Sequence, residues 1–135
     1  MILVDTNILL DILDDSSQWA PWSQEQFARA RLLGAVCVNE IVYAELAARF
    51  AQRTDVDNFL DDATISLSHI SRDALFLAAQ AFRLYRRQGG PRNSILPDFF
   101  IGAHAAAEGH VILTRDTRRY DAYFPDVELI APGLR

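Results

Sequence analysis

Short apolar runs alternate along the chain with amphipathic stretches, which predicts a repeated strand–helix unit. Ile2-Leu3-Val4 is apolar without alternation, the pattern of a strand covered on both faces. From Thr6-Asn7 the spacing becomes helical, with Ile8, Leu9, Ile12 and Leu13 on one side, until Asp14-Asp15-Ser16-Ser17 breaks it. Pro21 opens a second helix, Trp22 to Leu33, stopped by Gly34; Trp19 and Trp22 beside it read as core, with an interface as the competing reading. Ala35–Val38 is the second strand, and Asn39 caps a helix running roughly to Arg53. Asp55 to Asp62 reads as a short acidic helix, and Ile65 with Leu67 as a short third strand. Ser71 caps a long amphipathic helix, Arg72 to Gln88, ended by Gly89-Gly90. Pro97 takes the first position of the next helix, which runs through Phe99–Glu108 and has a small-residue face suited to close packing (Gly102, Ala103, Ala105, Ala106, Ala107). Val111–Leu113 is a fourth strand, Arg118 to Tyr123 reads as a turn, and Val127–Ile130 is a last short strand.

Five strands with intervening helices predict one α/β domain over residues 1–135, a three-layer α/β/α sandwich around a mainly parallel five-stranded sheet. If the strands lie in the order 3-2-1-4-5, strands one and four meet at the switch point where open α/β sheets bind ligands. Three carboxylates then become conspicuous. Asp5 ends the first strand, Asp116 closely follows the fourth, and Asp98 lies in the first turn of the helix between them. For Asp5 alone a helix N-cap would be a sufficient explanation. Two strand ends and a helix start, each acidic, instead suggest a metal site, with the carboxylates of Asp5, Asp98 and Asp116 within about 4–7 Å of one another.

Carboxylates without His or Cys partners are the ligand set of a hard divalent ion, Mg²⁺ or Mn²⁺. Such an ion acidifies water and neutralises phosphoryl charge, the chemistry of phosphodiester hydrolysis. No glycine-rich phosphate loop, Ser-His-Asp order or zinc spacing competes, and His104 and His110 read as structural or exposed. A dehalogenase-type phosphatase would need an acid where Asn7 stands, and a receiver domain a lysine where the chain has none. Glu45 shares a helical stripe with Ile41 and Val42, so it either borders a cleft or pairs with Arg49 at i+4. Arg92, in the glycine-containing loop leading to Asp98, is a candidate phosphate contact, as are Arg115 and Arg118 on either side of Asp116.

The net charge of −5 argues only mildly against a nucleic-acid partner, because bound cations cancel local acids. All thirteen basic residues are arginine, which excludes lysine chemistry and supplies forked donors suited to phosphate; coding bias accounts for the same composition. The single Cys37, within Ala35-Val36-Cys37-Val38, reads as a small buried hydrophobe in a reducing cytoplasm. No apolar stretch is long enough for a bilayer and no signal peptide is apparent, so a cytoplasmic protein without a membrane partner is expected.

Val4-Asp5-Thr6-Asn7, Val42-Tyr43-Ala44-Glu45-Leu46, Pro97-Asp98-Phe99-Phe100-Ile101-Gly102-Ala103-His104-Ala105, and Leu113-Thr114-Arg115-Asp116 with Tyr120 together resemble the four motif blocks of a PIN domain. Their order and spacing are similar to the VapC-type toxins of prokaryotic toxin–antitoxin modules. Each block is weak alone; four in order are fairly specific. The resemblance implies a Mg²⁺/Mn²⁺-dependent endoribonuclease in which Asp5, Glu45, Asp98 and Asp116 form an acidic quartet. By the same resemblance Asn7 and Thr114 match polar positions supporting that quartet. It further implies a homodimer inhibited by a cognate antitoxin, with DNA reached only through that antitoxin. Ala47-Ala48-Arg49 stands where a glycine often follows the motif glutamate. The rival expectation is a catalytically silent relative that acts by binding.

Overall fold

The computed structural model describes residues 1–133. Among them the order is β1 (Ile2–Val4), α1 (Thr6–Leu13), α2 (Ala20–Leu33), β2 (Val36–Val38), α3 (Glu40–Ala47), α4 (Arg53–Asp62), β3 (Ile65–Leu67), α5 (Arg72–Arg87), α6 (Pro97–Glu108), β4 (Val111–Leu113), α7 (Arg118–Tyr123) and β5 (Leu129–Ile130). The strands form one sheet in the order β3-β2-β1-β4-β5, the order supposed above. Every pairing is parallel. Successive strand residues point to opposite faces, yet all of β1 and β2 is buried, so helices cover both faces of the sheet centre. That makes the three layers that a parallel sheet requires. α1 packs on α2, and α5 packs on α6, which also meets α7. No helix of the described residues is long and apolar enough to cross a membrane.

Register places the site. Val4 lies opposite Leu113, and the Asp5 N–H donates to the Leu113 carbonyl at 2.9 Å. The next residues out, Asp5 and Thr114, therefore stand side by side where β1 and β4 end. Asn39 performs a comparable service for α3 and α6. Its side-chain oxygen caps α3 by accepting from Val42 N–H (3.0 Å), and its Nδ2 donates to Nδ1 of the buried His104 on α6 (3.2 Å). His104 Nε2 is then left to donate toward Ser68 Oγ at 3.4 Å, and burial keeps the ring neutral by pushing its pKa down. The helix bearing Glu45 is thus tied to the helix bearing Asp98.

Gly102 explains how close α6 comes to its neighbour. A Cβ there would lie 2.3 Å from the ring of Phe124, just past α7. The small-residue face does allow the close packing expected of it.

Two local expectations are corrected. α3 stops at Ala47 rather than near Arg53, because Arg49 and Phe50 N–H turn back tightly onto Leu46 and Ala47 carbonyls and Phe50 packs against Phe59. Residues 118–123 form a helix rather than a turn: Tyr120 and Phe124 are both buried and joined by a backbone hydrogen bond, so packing stabilises a segment too short for periodicity to reveal. Trp19 and Trp22 are half-buried, edge to face at 6.1 Å. Cys37 is fully buried as expected, which pushes its thiol up to about 11.

Candidate metal centre

Asp5 is both a helix cap and something more. It caps α1, with Oδ1 accepting the Thr6 N–H at 2.7 Å. Oδ2 accepts two hydroxyls, Thr114 Oγ1 and Tyr120 Oη, each at 2.8 Å. An oxygen with two acceptor sites is then filled, which leaves Oδ1 as the atom with a free lone pair. The carboxyl is buried, and desolvation pushes its pKa up despite the three donors; Glu45 adds to the rise.

Thr114, fully buried, links this acid to the next one. Its hydroxyl donates to Asp5 and accepts from Asn7 Nδ2 (3.3 Å) and the Asp116 N–H (3.1 Å). One donor and two acceptor positions are all used. Asn7 Oδ1 also accepts the Arg115 N–H at 3.2 Å, so α1 clamps the loop after β4 from two sides.

Asp116 itself is half-exposed and held by Arg118: Nε donates to Oδ1 at 3.0 Å and a terminal nitrogen to Oδ2 at 2.9 Å. That forked hydrogen bond holds the Asp116 carboxyl below its usual range. Glu45 is anchored across the cleft, where Thr6 Oγ1 donates to its Oε1 at 2.7 Å. The ion pair weighed for it with Arg49 is not formed, since Arg49 lies beyond the end of α3.

Asp98, in the first turn of α6, accepts no hydrogen bond from the described residues. Partial burial first, then the charge of Asp5, pushes its carboxyl up to about 6; Asp116 and Glu45 add to the rise and Arg119 opposes it. All four acids therefore share one electrostatic neighbourhood. Among the described residues, however, no three Asp, Glu, His or Cys side chains close to a common metal-binding arrangement. The convergence on one cation expected from the sequence is thus incomplete, for a physical reason. Like charges repel, and Arg118 and the hydroxyls around Asp5 supply the compensation locally. In kind the donors fit a hard divalent ion: all are oxygens, and one is a half-buried carboxylate to which none of the described residues donates.

The arginines divide. Arg115 is committed elsewhere, with Nε 2.6 Å and a terminal nitrogen 3.1 Å from the buried carboxylate of Asp11, and its guanidinium 5.4 Å from the Trp19 ring centre. Ser17 and Ser23 complete the Asp11 shell. A guanidinium held by a buried acid is a strut for the loop rather than a free phosphate donor. Arg118 lies on Asp116. Arg92 is exposed on the loop before α6, its backbone bonded to Tyr85 and Arg86. Two residues of this centre escaped selection from the sequence as site residues: Tyr120, whose hydroxyl reaches Asp5, and Arg119, stacked on Tyr85 with its guanidinium carbon 5.6 Å from the ring centre. Tyr120 stood in the fourth motif block without being assigned a role, and for Arg119 the sequence signal was proximity to Asp116.

A family model described as PIN domain matches residues 2–125. Among solved structures, the chain is similar to VapBC2 from Rickettsia felis bound to a promoter DNA fragment, with TM-score 0.69 and 19% identity, covering 98% of this chain and 100% of that one. It is similar to DNA-bound VapBC from Salmonella typhimurium, with TM-score 0.69, 18% identity and 96% of each chain covered. It is also similar to VapC20 from Mycobacterium tuberculosis, a sarcin-ricin loop cleaving toxin, with TM-score 0.64, 17% identity and coverage of 90% of this chain and 95% of that one. At these identities the likeness is one of fold. No curated protein matches by sequence.

Proposed function

The chain belongs to the PIN-domain family, and from that premise we propose that it is a Mg²⁺/Mn²⁺-dependent endoribonuclease, the toxin component of a toxin–antitoxin module. The observation that carries this reading is Asp98. A half-buried carboxyl pushed up to about 6 among Asp5, Asp116 and Glu45, with no donor from the described residues, is a group that a cation would relieve. Asp5, Asp98 and Asp116 would hold that cation. The chemistry such an ion supplies is acidification of water and neutralisation of phosphoryl charge.

The chain's own residues do the rest. Thr114 and Tyr120 saturate Asp5 Oδ2 and so leave its Oδ1, which accepts one N–H from Thr6, with the free lone pair. Asn7 and Thr114 hold the loop that presents Asp116. Glu45, fixed at Oε1 by Thr6, keeps Oε2 to orient a water and accept its proton during attack on the phosphodiester. Arg92 and Arg118 are the surface arginines available to the RNA backbone; for Arg118 this requires release from Asp116.

The partners that accompany this reading are an RNA substrate, a cognate antitoxin, a second copy of the chain as a homodimer, and DNA only through the antitoxin. Support comes from the similar folds of VapBC assemblies, two of them bound to DNA. A second reading, a catalytically silent binding module, is favoured by one feature, the Arg118 fork that already satisfies Asp116.

One assay separates the two. Purified protein is incubated with RNA in EDTA and with Mg²⁺ or Mn²⁺, beside Asp98→Asn. Cleavage that needs the ion and falls by orders of magnitude in the variant supports the nuclease. RNA left intact under every condition sinks it in favour of the silent module.

A further inference from the structure

Arg119 is the arginine at this centre that no acid claims. Arg115 is spent on Asp11 and Arg118 on Asp116, whereas Arg119 takes part in no ion pair or hydrogen bond among the described residues. Its Nε is buried without a partner, and its guanidinium lies over the Tyr85 ring. Tyr85 is itself fixed by Phe99 at 5.4 Å, one residue from Asp98. A flat cation stacked on an aromatic that is packed beside the acid-bearing helix has lost most of its freedom before any ligand arrives. Its positive charge also registers at both Asp98 and Asp116. Nε is too deeply buried to meet a ligand itself, so the terminal nitrogens are the pair that matches two oxygens of a phosphate.

We propose that Arg119 is a phosphate-binding residue of the RNA site, stacked on Tyr85 and presenting its guanidinium to the phosphodiester held beside Asp98 and Asp116. The assignment rests on the ribonuclease reading and adds to its rim contacts, Arg92 and Arg118, one beside the acids. Arg118, exposed and able to swing, then acts at the rim, while Arg119 acts at the centre.

The test measures single-stranded RNA affinity against salt in an Asp98→Asn background, where no turnover interferes, with Arg119→Ala and Arg119→Lys added in turn. Arg119→Ala should weaken binding about tenfold and reduce the slope of log K against log salt by roughly 0.7, the value for one phosphate contact on a single strand. Arg119→Lys should keep the slope but recover only part of the affinity, because it retains the charge and loses the fork. Mn²⁺ affinity is measured in parallel with the acids intact, and thermal melts in EDTA confirm that each variant is folded. Unchanged RNA affinity and slope, with tighter Mn²⁺ binding in Arg119→Ala, would make Arg119 a mere counterweight to the acids and overturn the proposal. Should the parent protein bind no RNA at any salt, the ribonuclease reading itself falls, which is a different result from an arginine that does not matter.

Discussion

Asp98 concentrates the residue-scale argument because its environment is unfavourable without a cation. Its carboxyl sits at about 6 in the folded chain, raised by burial and then by Asp5, against an ordinary aspartate value of 3.8. The folded state therefore holds a proton that the unfolded chain has released. Stability from this group is complete below about pH 4 and is lost as pH rises through about 6. In EDTA, the wild type should lose stability relative to Asp98→Asn over that window, and the two curves should run parallel above it. Urea melts of both proteins between pH 3.5 and 7.5 would check this. A constant difference across the range would mean that Asp98 does not titrate as its surroundings dictate.

At the scale of elements, α6 and α7 are coupled through one missing methyl group. Gly102 lets α6 approach the Phe124 ring, which a Cβ would meet at 2.3 Å. Alanine is the better helix former by about 1 kcal/mol, so propensity alone predicts stabilisation. Overpacking against a buried ring costs about 1–3 kcal/mol and should win. Gly102→Ala is expected to destabilise the fold by about 1–2 kcal/mol in denaturant melts. It should also loosen α7, and with it the Tyr120 bond to Asp5. A stabilised variant would show that Phe124 moves aside freely. The reach of α3 teaches a related lesson. Apolar spacing extended it toward Arg53, but the packing of Phe50 on Phe59 ends it at Ala47.

Across the whole molecule, the proposed cation site at the switch point would make folding and cation binding linked equilibria. An ion that binds only the folded arrangement stabilises it by about 2.7 kcal/mol at a hundredfold excess over its dissociation constant. Mn²⁺ should therefore raise the melting temperature of the wild type and EDTA should reverse the shift. In Asp116→Asn the shift should shrink, because a ligand is lost, beyond whatever the broken Arg118 fork does to the apo protein. Equal shifts in wild type and variant would remove Asp116 from the ligand set.

Much of this architecture was legible in the chain before any coordinates. Unalternated runs such as Ile2–Val4 and Val111–Leu113 have the pattern of strands covered on both faces, and the caps Asn39 and Ser71 are local signals. Parallel strands joined by helices admit few topologies, and the order 3-2-1-4-5, supposed from the sequence rather than derived, is the one the sheet adopts, with Asp5 beside the end of β4. Side-chain partnership was not legible in the same way. Arg115 turned to Asp11, 104 residues away, and Tyr120 reached Asp5 across 115. Nothing near either residue in sequence specifies those partners. Strand and helix formation depend on neighbours within a turn or two, whereas the direction of a guanidinium depends on which distant charge the fold brings within 3 Å. The position of each acid was therefore a property of the sequence, and which arginine stands free beside them was decided only by the tertiary structure.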